Sequence, residues 1–330
     1  MANLTARLHV RVIALATFLA ASGALHAQYP SKPISLVVPF SPGSDADLAG
    51  RNLAEHAARY LNGHPVVVVN QPGASGAIGT LAVRNAPADG YTLLLARIAS
   101  QVILPAMDAK TPYQWSDFTL LSVLEVNPYV CAVKADAPYL SMKELTGDVA
   151  KHPGALNFGT VGAGTIQSFG PQYLFSLLGL PKDAAVGVPY KGSGDLTAAL
   201  LGGQVQFACS NLGALLPHLK SGALRALMTT TRERLPELPE APTARALGWP
   251  AMEKLAAWSA LAGPPRLPKA VVERWTGVLA KLARDKDWIV RNEKLGGIPA
   301  IRSPARTEAF VREQYRLYEQ LALRAGLRSR

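Results

Sequence analysis

The stretch Ile34-Ser-Leu-Val-Val-Pro-Phe-Ser-Pro-Gly-Ser-Asp-Ala-Asp47 decides the fold, because its small-residue loop joins an apolar run to the start of a helix. The run over 34–38 has the length and apolar character of a buried strand, and Pro39 ends it. Apolar residues then recur at helical spacing over 47–61. The sequence therefore predicts a strand, a loop and a helix as its first structural unit.

The same order of elements recurs along the chain. Further strands are predicted at 65–69, 92–96, 156–159, 186–189 and 205–209, and further helices at 78–85, 167–178, 196–201, 214–220, 270–283 and 304–325. Apolar strands that alternate with helices are typical of parallel strands covered on both faces. The predicted fold class is therefore α/β, with two α/β lobes and a cleft between them.

Residues 1–27 have the pattern of a secretory signal peptide. Arg7 and Arg11 supply the positive charge, an apolar run over 12–21 follows, and small residues precede Ala27. The apolar run is shorter than the roughly 20 residues that a membrane span needs. We therefore expect cleavage near Ala27 and export of a soluble mature protein.

Composition and charge narrow the class of protein. The chain has 330 residues, of which 49% are hydrophobic, so it is long enough for two domains with real cores. The formal net charge is +11, but the Lys and Arg residues are scattered rather than concentrated in a stripe. The densest basic patch, over 324–330, is too short to read a nucleic-acid groove. No nucleic-acid partner is therefore expected.

The cysteines and histidines predict no metal centre. Cys131 and Cys209 both lie in apolar, strand-like runs. An exported protein can join them in a disulfide, but two buried thiols fit the sequence equally well. The four histidines after the leader do not have the spacing of metal ligands. We expect neither a metal site nor a cofactor.

The motifs of several common enzyme classes are missing from the sequence. It contains no G-x-S-x-G nucleophile elbow and no G-x-x-x-x-G-K-[ST] phosphate loop. The stretch GAGTIQ over 162–167 begins like a dinucleotide fingerprint but lacks the third glycine. We therefore do not expect an enzyme.

Three loops between predicted strands and helices are rich in Gly and small polar residues. They cover 40–47, 70–79 and 159–165. In open α/β sheets, ligands bind beyond the carboxyl ends of the strands, where such loops lie. Each loop leads into a helix N-terminus, whose free N–H groups suit a carboxylate or a phosphate. A tight turn explains any single loop, but three loops in both halves of the chain favour a shared anion site.

These loops, read with other blocks, resemble the Bug family, the periplasmic solute receptors of tripartite tricarboxylate transporters. The blocks VPFSPGSDADLAGR over 38–51 and NQPGASGAIG over 70–79 are similar to the family motifs PFxPGGxxDxxAR and NRPGAGGxxG. The blocks ADGYTLL over 88–94, VPYKG over 188–192 and LGGQV over 201–205 are similar to PDGYTLL and VPYKG…LGGQV. The resemblance covers nearly the whole mature chain.

The resemblance implies a type II periplasmic-binding-protein fold, in which two α/β lobes close on a ligand. The chain then crosses between lobes twice, so that 28–126 and 233–330 form the first lobe and 127–232 forms the second. The resemblance also implies a small carboxylate ligand, held by backbone N–H groups and small hydroxyls at these loops. Membrane permease subunits are the implied partners, and we expect a monomer that performs no chemistry.

Several positions depart from the family pattern and bear on specificity. Ser44 stands where the family has a second Gly, and Ser168 stands where it has His. Arg97 follows a central strand, where relatives tend to carry a small residue; its guanidinium can bind a second carboxylate bidentately, and a surface arginine is the alternative. The candidate ligand-binding residues are Phe40, Ser41, Ser44, Asp45, Ala46, Ser75, Gly76, Arg97, Ala163, Gly164, Thr165, Ser168 and Phe169.

Side chains of the loops suggest a ligand class. Asp47 is expected to cap its own helix, whereas Asp45 is either a filter that repels ligands or a solvated residue. Phe40 and Phe169 can flank a flat ring or can belong to the core. With Arg97, they favour a rigid dicarboxylate such as terephthalate or another phthalate, and an aliphatic acid such as citrate is the alternative. The sequence does not separate a transport receptor from a sensor for a membrane signalling protein.

Overall fold

Two β-sheets organise the structure, a computed structural model that describes residues 29–328. The predicted leader over 1–27 lies outside the described residues. The strands are β1 (Ile34–Val38), β2 (Val66–Asn70), β3 (Thr92–Arg97), β4 (Thr119–Asn127), β5 (Tyr129–Lys134), β6 (Asn157–Thr160), β7 (Val186–Pro189), β8 (Phe207–Asn211), β9 (Leu224–Thr229), β10 (Ala257–Gly263) and β11 (Ile298–Pro299). The α-helices are α1 (Asp45–Ala58), α2 (Ala77–Arg84), α3 (Leu104–Met107), α4 (Met142–Lys151), α5 (Ile166–Leu177), α6 (Ser193–Leu201), α7 (Leu212–Lys220), α8 (Lys269–Leu282), α9 (Lys286–Lys294) and α10 (Pro304–Arg324).

The first sheet is mixed and has the order β11-β4-β10-β3-β1-β2. The strands β1, β2 and β3 run parallel, whereas β10 runs antiparallel to both β3 and β4. The predicted strands β1, β2 and β3 are therefore parallel as expected, and the antiparallel strand β10 was not predicted. The chain returns from the second sheet and inserts β10 between β3 and β4.

The second sheet has the order β7-β6-β8-β5-β9. Its strands β6, β7 and β8 run parallel, and β5 runs antiparallel to β8 and β9. The chain leaves the first sheet after β4 and re-enters it at β10. The predicted α/β fold with two lobes is thereby confirmed, while the lobe boundaries at 126/127 and 232/233 stay predictions.

Apolar periodicity located the helices well. All seven predicted helices, α1, α2, α5, α6, α7, α8 and α10, begin and end within three residues of the expected positions. The strands β4 and β10 were not predicted, because Ser122, Glu125 and Ser259 interrupt their apolar runs although all three are buried. No helix within residues 29–328 is both long and apolar enough to cross a bilayer.

A shared apolar core joins the two lobes. The ring of Phe169 in α5 lies 5.1 Å from the ring of Tyr318 in α10, measured between centroids. Tyr129 at the start of β5 is fully buried, and its hydroxyl donates to the carbonyl of Ile166 at 3.0 Å. The C-terminal helix therefore covers the first sheet and also contacts the second lobe.

Cys131 and Cys209 form a disulfide in the second lobe. They lie opposite each other on the antiparallel strands β5 and β8, with their Cα atoms 3.9 Å apart. The bond spans 78 residues of sequence. The pairing of β5 with β8 thus decides between the two alternatives that the sequence left open.

Removal of this disulfide should destabilise the protein. In the double variant Cys131→Ala/Cys209→Ala the unfolded chain gains conformational freedom, and we expect the free energy of unfolding to fall by about 2–4 kcal/mol in a urea titration. Dithiothreitol should destabilise the wild type and leave the double variant unchanged. A wild type that is equally stable with and without the reductant would contradict this expectation.

Candidate ligand-binding cleft

Both sheets direct the carboxyl ends of their parallel strands into one cleft. In the first lobe these ends are followed by loops 39–44 and 71–76 and by Ile98, and in the second lobe by loops 161–165 and 190–192 and by Leu212. Residues at all six strand ends line the space between the lobes. This is the position in which α/β sheets bind ligands.

Two cavities divide this cleft. The outer cavity has a volume of about 430 Å³ and is lined by Phe40, Ser41, Pro72, Gly73, Ala74, Ser75, Gly76, Val161, Gly162, Pro189, Tyr190 and Lys191. The inner cavity has about 20 Å³ and is lined by Phe40, Ser44, Asp45, Ala46, Arg97, Ile98, Ala99, Val161, Thr165, Ile166, Gln167, Gly192, Ser193, Asn211 and Ala257. The inner cavity is therefore about large enough for one water molecule. Phe40 and Val161 line both cavities and form the boundary between them.

Most of the predicted residues lie at these cavities. Phe40, Ser41, Ser44, Asp45, Ala46, Ser75, Gly76, Arg97 and Thr165 line one or both of them. Gly164 contributes a backbone N–H that donates to Ser75 Oγ at 3.2 Å, across the cleft. Ala163 is exposed and Ser168 is buried, and neither lines the inner or the outer cavity.

Phe169 lies away from the cleft. Its side chain is fully buried, and its ring packs against Tyr173 and Tyr318. The expectation that Phe169 flanks a ligand ring is therefore corrected, because this face of α5 packs against α10 rather than against the cavities. Phe40 remains at the cleft and lines both cavities.

Arg97 lies in the cleft, but its guanidinium is already paired. Nη2 donates to Asp45 Oδ2 at 2.6 Å, and Nη1 donates to Ser259 Oγ at 2.6 Å. Nη1 also lies 3.6 Å from Glu125 Oε1, and the Arg97 side chain is only 5% exposed. The expectation of a guanidinium free to bind a second ligand carboxylate is therefore corrected, because Asp45 occupies it.

Strand register explains the inner part of this network. Ser259 on β10 is paired with Arg97 on β3 and with Glu125 on β4, so the three side chains form a row across the sheet. Ser259 accepts from Arg97 and donates to Glu125 Oε1 at 2.7 Å. Asn292 donates to Glu125 Oε2 at 2.8 Å, so both oxygens of this buried carboxylate are hydrogen-bonded.

Asp45 joins the two lobes. Its Oδ1 accepts from Ser193 Oγ at 3.1 Å, and its Oδ2 accepts from Asn211 Nδ2, and both donors belong to the second sheet's helices and strands. Its backbone N–H donates to Ser193 Oγ at 3.2 Å. The alternative in which Asp45 is a solvated residue is therefore corrected. Its carboxylate contacts the second lobe and also neutralises Arg97.

Two further hydrogen bonds cross the cleft. Ser41 Oγ donates to the carbonyl of Lys191 at 3.2 Å, and the Gly164 N–H donates to Ser75 Oγ. Ser75 and its neighbour Ala74 adopt left-handed backbone conformations with φ of +55° and +47°, which are costly for residues other than glycine. The lobes are thus in contact at both cavities, and the strained loop is part of that contact.

Several helix N-termini at the cleft lack a side-chain cap. The N-cap residues of α2, α5, α6 and α7 are Gly76, Thr165, Gly192 and Asn211, and none of their side chains caps the first turn. By contrast, Ser44 caps α1 by accepting from the Asp47 N–H. The cleft therefore offers backbone donors and partial positive charge to an anion.

Sequence reasoning missed several polar residues of the cleft, among them Lys191, Ser193 and Asn211. Lys191 and Ser193 follow β7, and Asn211 ends β8. Ligands bind at the carboxyl ends of parallel strands, and these residues lie at such ends, so this rule could have identified them from the sequence. The contact of Asn211 with Asp45 had no signal, since 166 positions separate the two residues.

Asp47 holds the first loop and does not line a cavity. Its carboxylate accepts from the Gly43 N–H at 2.9 Å, from Arg51 Nε at 3.0 Å and from Asn70 Nδ2 at 2.9 Å. Burial acts to raise the pKa of Asp47, but these hydrogen bonds outweigh it and hold the pKa below its usual value. The expected capping role belongs to Ser44 instead.

Asp47 should make the protein more stable at neutral than at acid pH. A lowered pKa in the folded state contributes stability above the unfolded-state pKa, and this contribution is lost as the pH falls through the folded-state pKa. We expect Asp47→Asn to cost about 2 kcal/mol of unfolding free energy at pH 7, and less below about pH 4. Urea titrations across this pH range measure the difference, with the exposed Asp183→Asn as control; a cost that is independent of pH would contradict the assignment.

Comparison with known proteins identifies the class that this two-lobed fold and its cleft define. The family model for the tripartite tricarboxylate transporter family receptor matches residues 49–315. Protein BugT of Bordetella pertussis is 31% identical over 330 residues, covering 98% of each chain. The structure of the periplasmic binding protein BugD superposes with a TM-score of 0.83 at 29% identity, over 92% of this chain and 100% of that one. The R. palustris protein Rpa4515 with adipate gives 0.84 at 28% identity, over 90% and 98%.

The chain therefore belongs to the Bug family of tripartite tricarboxylate transporter receptors. Members of this family are periplasmic solute-binding receptors and not enzymes. The resemblance that the sequence motifs suggested is confirmed.

Proposed function

We propose that this receptor captures a small carboxylate by closure of its two lobes and delivers it to the permease subunits of a tripartite transporter. The observation that carries the proposal is an open cavity of about 430 Å³ between the lobes, lined from one lobe by the loop 73–76 with the uncapped start of α2 and from the other by Gly162. An anion in this cavity contacts both lobes only when they are together, so closure is coupled to occupancy. The leader over 1–27 would export the chain to the compartment where such receptors act.

We assign the ligand carboxylate to the outer cavity. Its volume of about 430 Å³ suits a small organic acid, whereas the inner cavity is too small. The loop 73–76 and Gly162 offer backbone to a carboxylate from opposite lobes. Lys191 is exposed at this cavity and adds a positive charge.

Within the carboxylates, we favour an aromatic dicarboxylate such as terephthalate. Phe40 and Tyr190 are aromatic residues of the outer cavity, and Pro72 and Pro189 add flat apolar surface, so that a planar ring would be well packed. Lys191 can attract a second carboxylate at the opening. An aliphatic dicarboxylate is the alternative, and it draws support from the related R. palustris protein with adipate.

Isothermal titration calorimetry of the mature protein tests both levels of the proposal. The panel contains terephthalate, phthalate, benzoate, citrate, succinate and adipate. Binding of any of them supports the receptor function, and preference for terephthalate over adipate supports the aromatic ligand. A protein that binds no member of the panel speaks against a carboxylate receptor, and binding of adipate alone rules out the aromatic one.

Lys191 should contribute to affinity through its charge. We expect Lys191→Met to raise the Kd of the best carboxylate roughly threefold to tenfold at low salt, and by less at 0.5 M NaCl, because salt screens exposed charges. Lys220→Met, on the exposed end of α7, removes the same charge away from the cavities and serves as control. Equal effects of the two variants would show that only net charge matters.

A further inference from the structure

The inner cavity contains a complete carboxylate site that the protein fills with its own side chain. Three donors converge on the Asp45 carboxylate: Arg97 Nη2 at 2.6 Å, Ser193 Oγ at 3.1 Å and Asn211 Nδ2. A guanidinium, a hydroxyl and an amide are groups that commonly hold the carboxylate of a bound ligand. The chemistry of the inner cavity is therefore that of a second carboxylate subsite.

Space and charge both close this subsite to a ligand. The inner cavity has only about 20 Å³ while Asp45 lies in it. Arg97 is shared by two carboxylates, those of Asp45 and Glu125. A ligand carboxylate would add a third to one guanidinium, and an uncompensated buried charge of this kind is costly.

We infer that Asp45 is a specificity-determining residue: it acts as a tethered carboxylate that occupies the inner subsite in place of a second ligand carboxylate. The wild type then selects ligands whose charged groups are all bound at the outer cavity. Loss of the Asp45 carboxylate leaves these three donors without their acceptor. A ligand carboxylate that enters the subsite then restores the same negative charge. This inference rests on the proposed function, because it assumes that a carboxylate binds in the outer cavity.

The test compares Asp45→Ser with the wild type by titration calorimetry. The probes are succinate, glutarate, adipate and pimelate, each paired with the monocarboxylate of the same chain length. Ser44 caps α1, so the helix start does not depend on Asp45. We expect Asp45→Ser to bind those dicarboxylates that reach the inner subsite at least roughly tenfold more tightly than the wild type, with no such gain for the monocarboxylates.

Two matched variants separate the causes of such a gain. Asp45→Asn removes the charge but keeps the side-chain volume, so it should show no gain for the long dicarboxylates. Asp45→Ser/Arg97→Gln removes the main donor of the subsite and should lose the gain of Asp45→Ser. Circular dichroism and thermal unfolding verify that each variant is folded.

The outcomes distinguish this inference from the function on which it rests. If carboxylates bind the wild type and Asp45→Ser binds every dicarboxylate no better, the inference is overturned. Equal weakening of mono- and dicarboxylates in Asp45→Ser also overturns it, and would make Asp45 only a lobe-closing contact. If neither protein binds any carboxylate, the proposed function fails and the inference falls with it.

Discussion

The buried guanidinium of Arg97 is the constraint on which the arrangement of the cleft depends. A charge that is 95% removed from solvent has to be neutralised and hydrogen-bonded within the protein. Glu125 and Ser259 meet part of this need from within the first sheet. Asp45 meets the rest, and its place at the start of α1 brings the carboxylate to the boundary between the lobes.

The Asp45 carboxylate therefore links the neutralisation of Arg97 in the first lobe to the contact between the two lobes. The carboxylate that neutralises Arg97 also accepts hydrogen bonds from Ser193 and Asn211 of the second lobe. The inner part of the cleft is thereby closed by the protein's own charges. The outer part keeps the free volume, the uncapped start of α2 and an exposed lysine, so it is the part in which a solute fits.

The cleft also shows why parts of the binding site were predictable. The Gly-rich loops after β1, β2 and β6 were recognised from their composition, because a chain that turns sharply from a strand into a helix needs small residues there. Phe169 was misplaced, since sequence does not say which face of α5 packs against a helix from the far end of the chain. The contact between Arg97 and Asp45 was not predicted for a similar reason, because the two residues lie 52 positions apart in the sequence.

The sequence by itself determined seven of the ten α-helices that the structure describes, the α/β class, the family and the loops that line the cleft. These features follow from local periodicity, from turn chemistry and from motifs that lie within short stretches of chain. Only the tertiary structure decided that β10 enters the first sheet antiparallel, that Cys131 meets Cys209, and that Asp45 occupies Arg97. Those outcomes depend on strand register and on the closeness of the lobes, which bring together side chains that no local pattern relates.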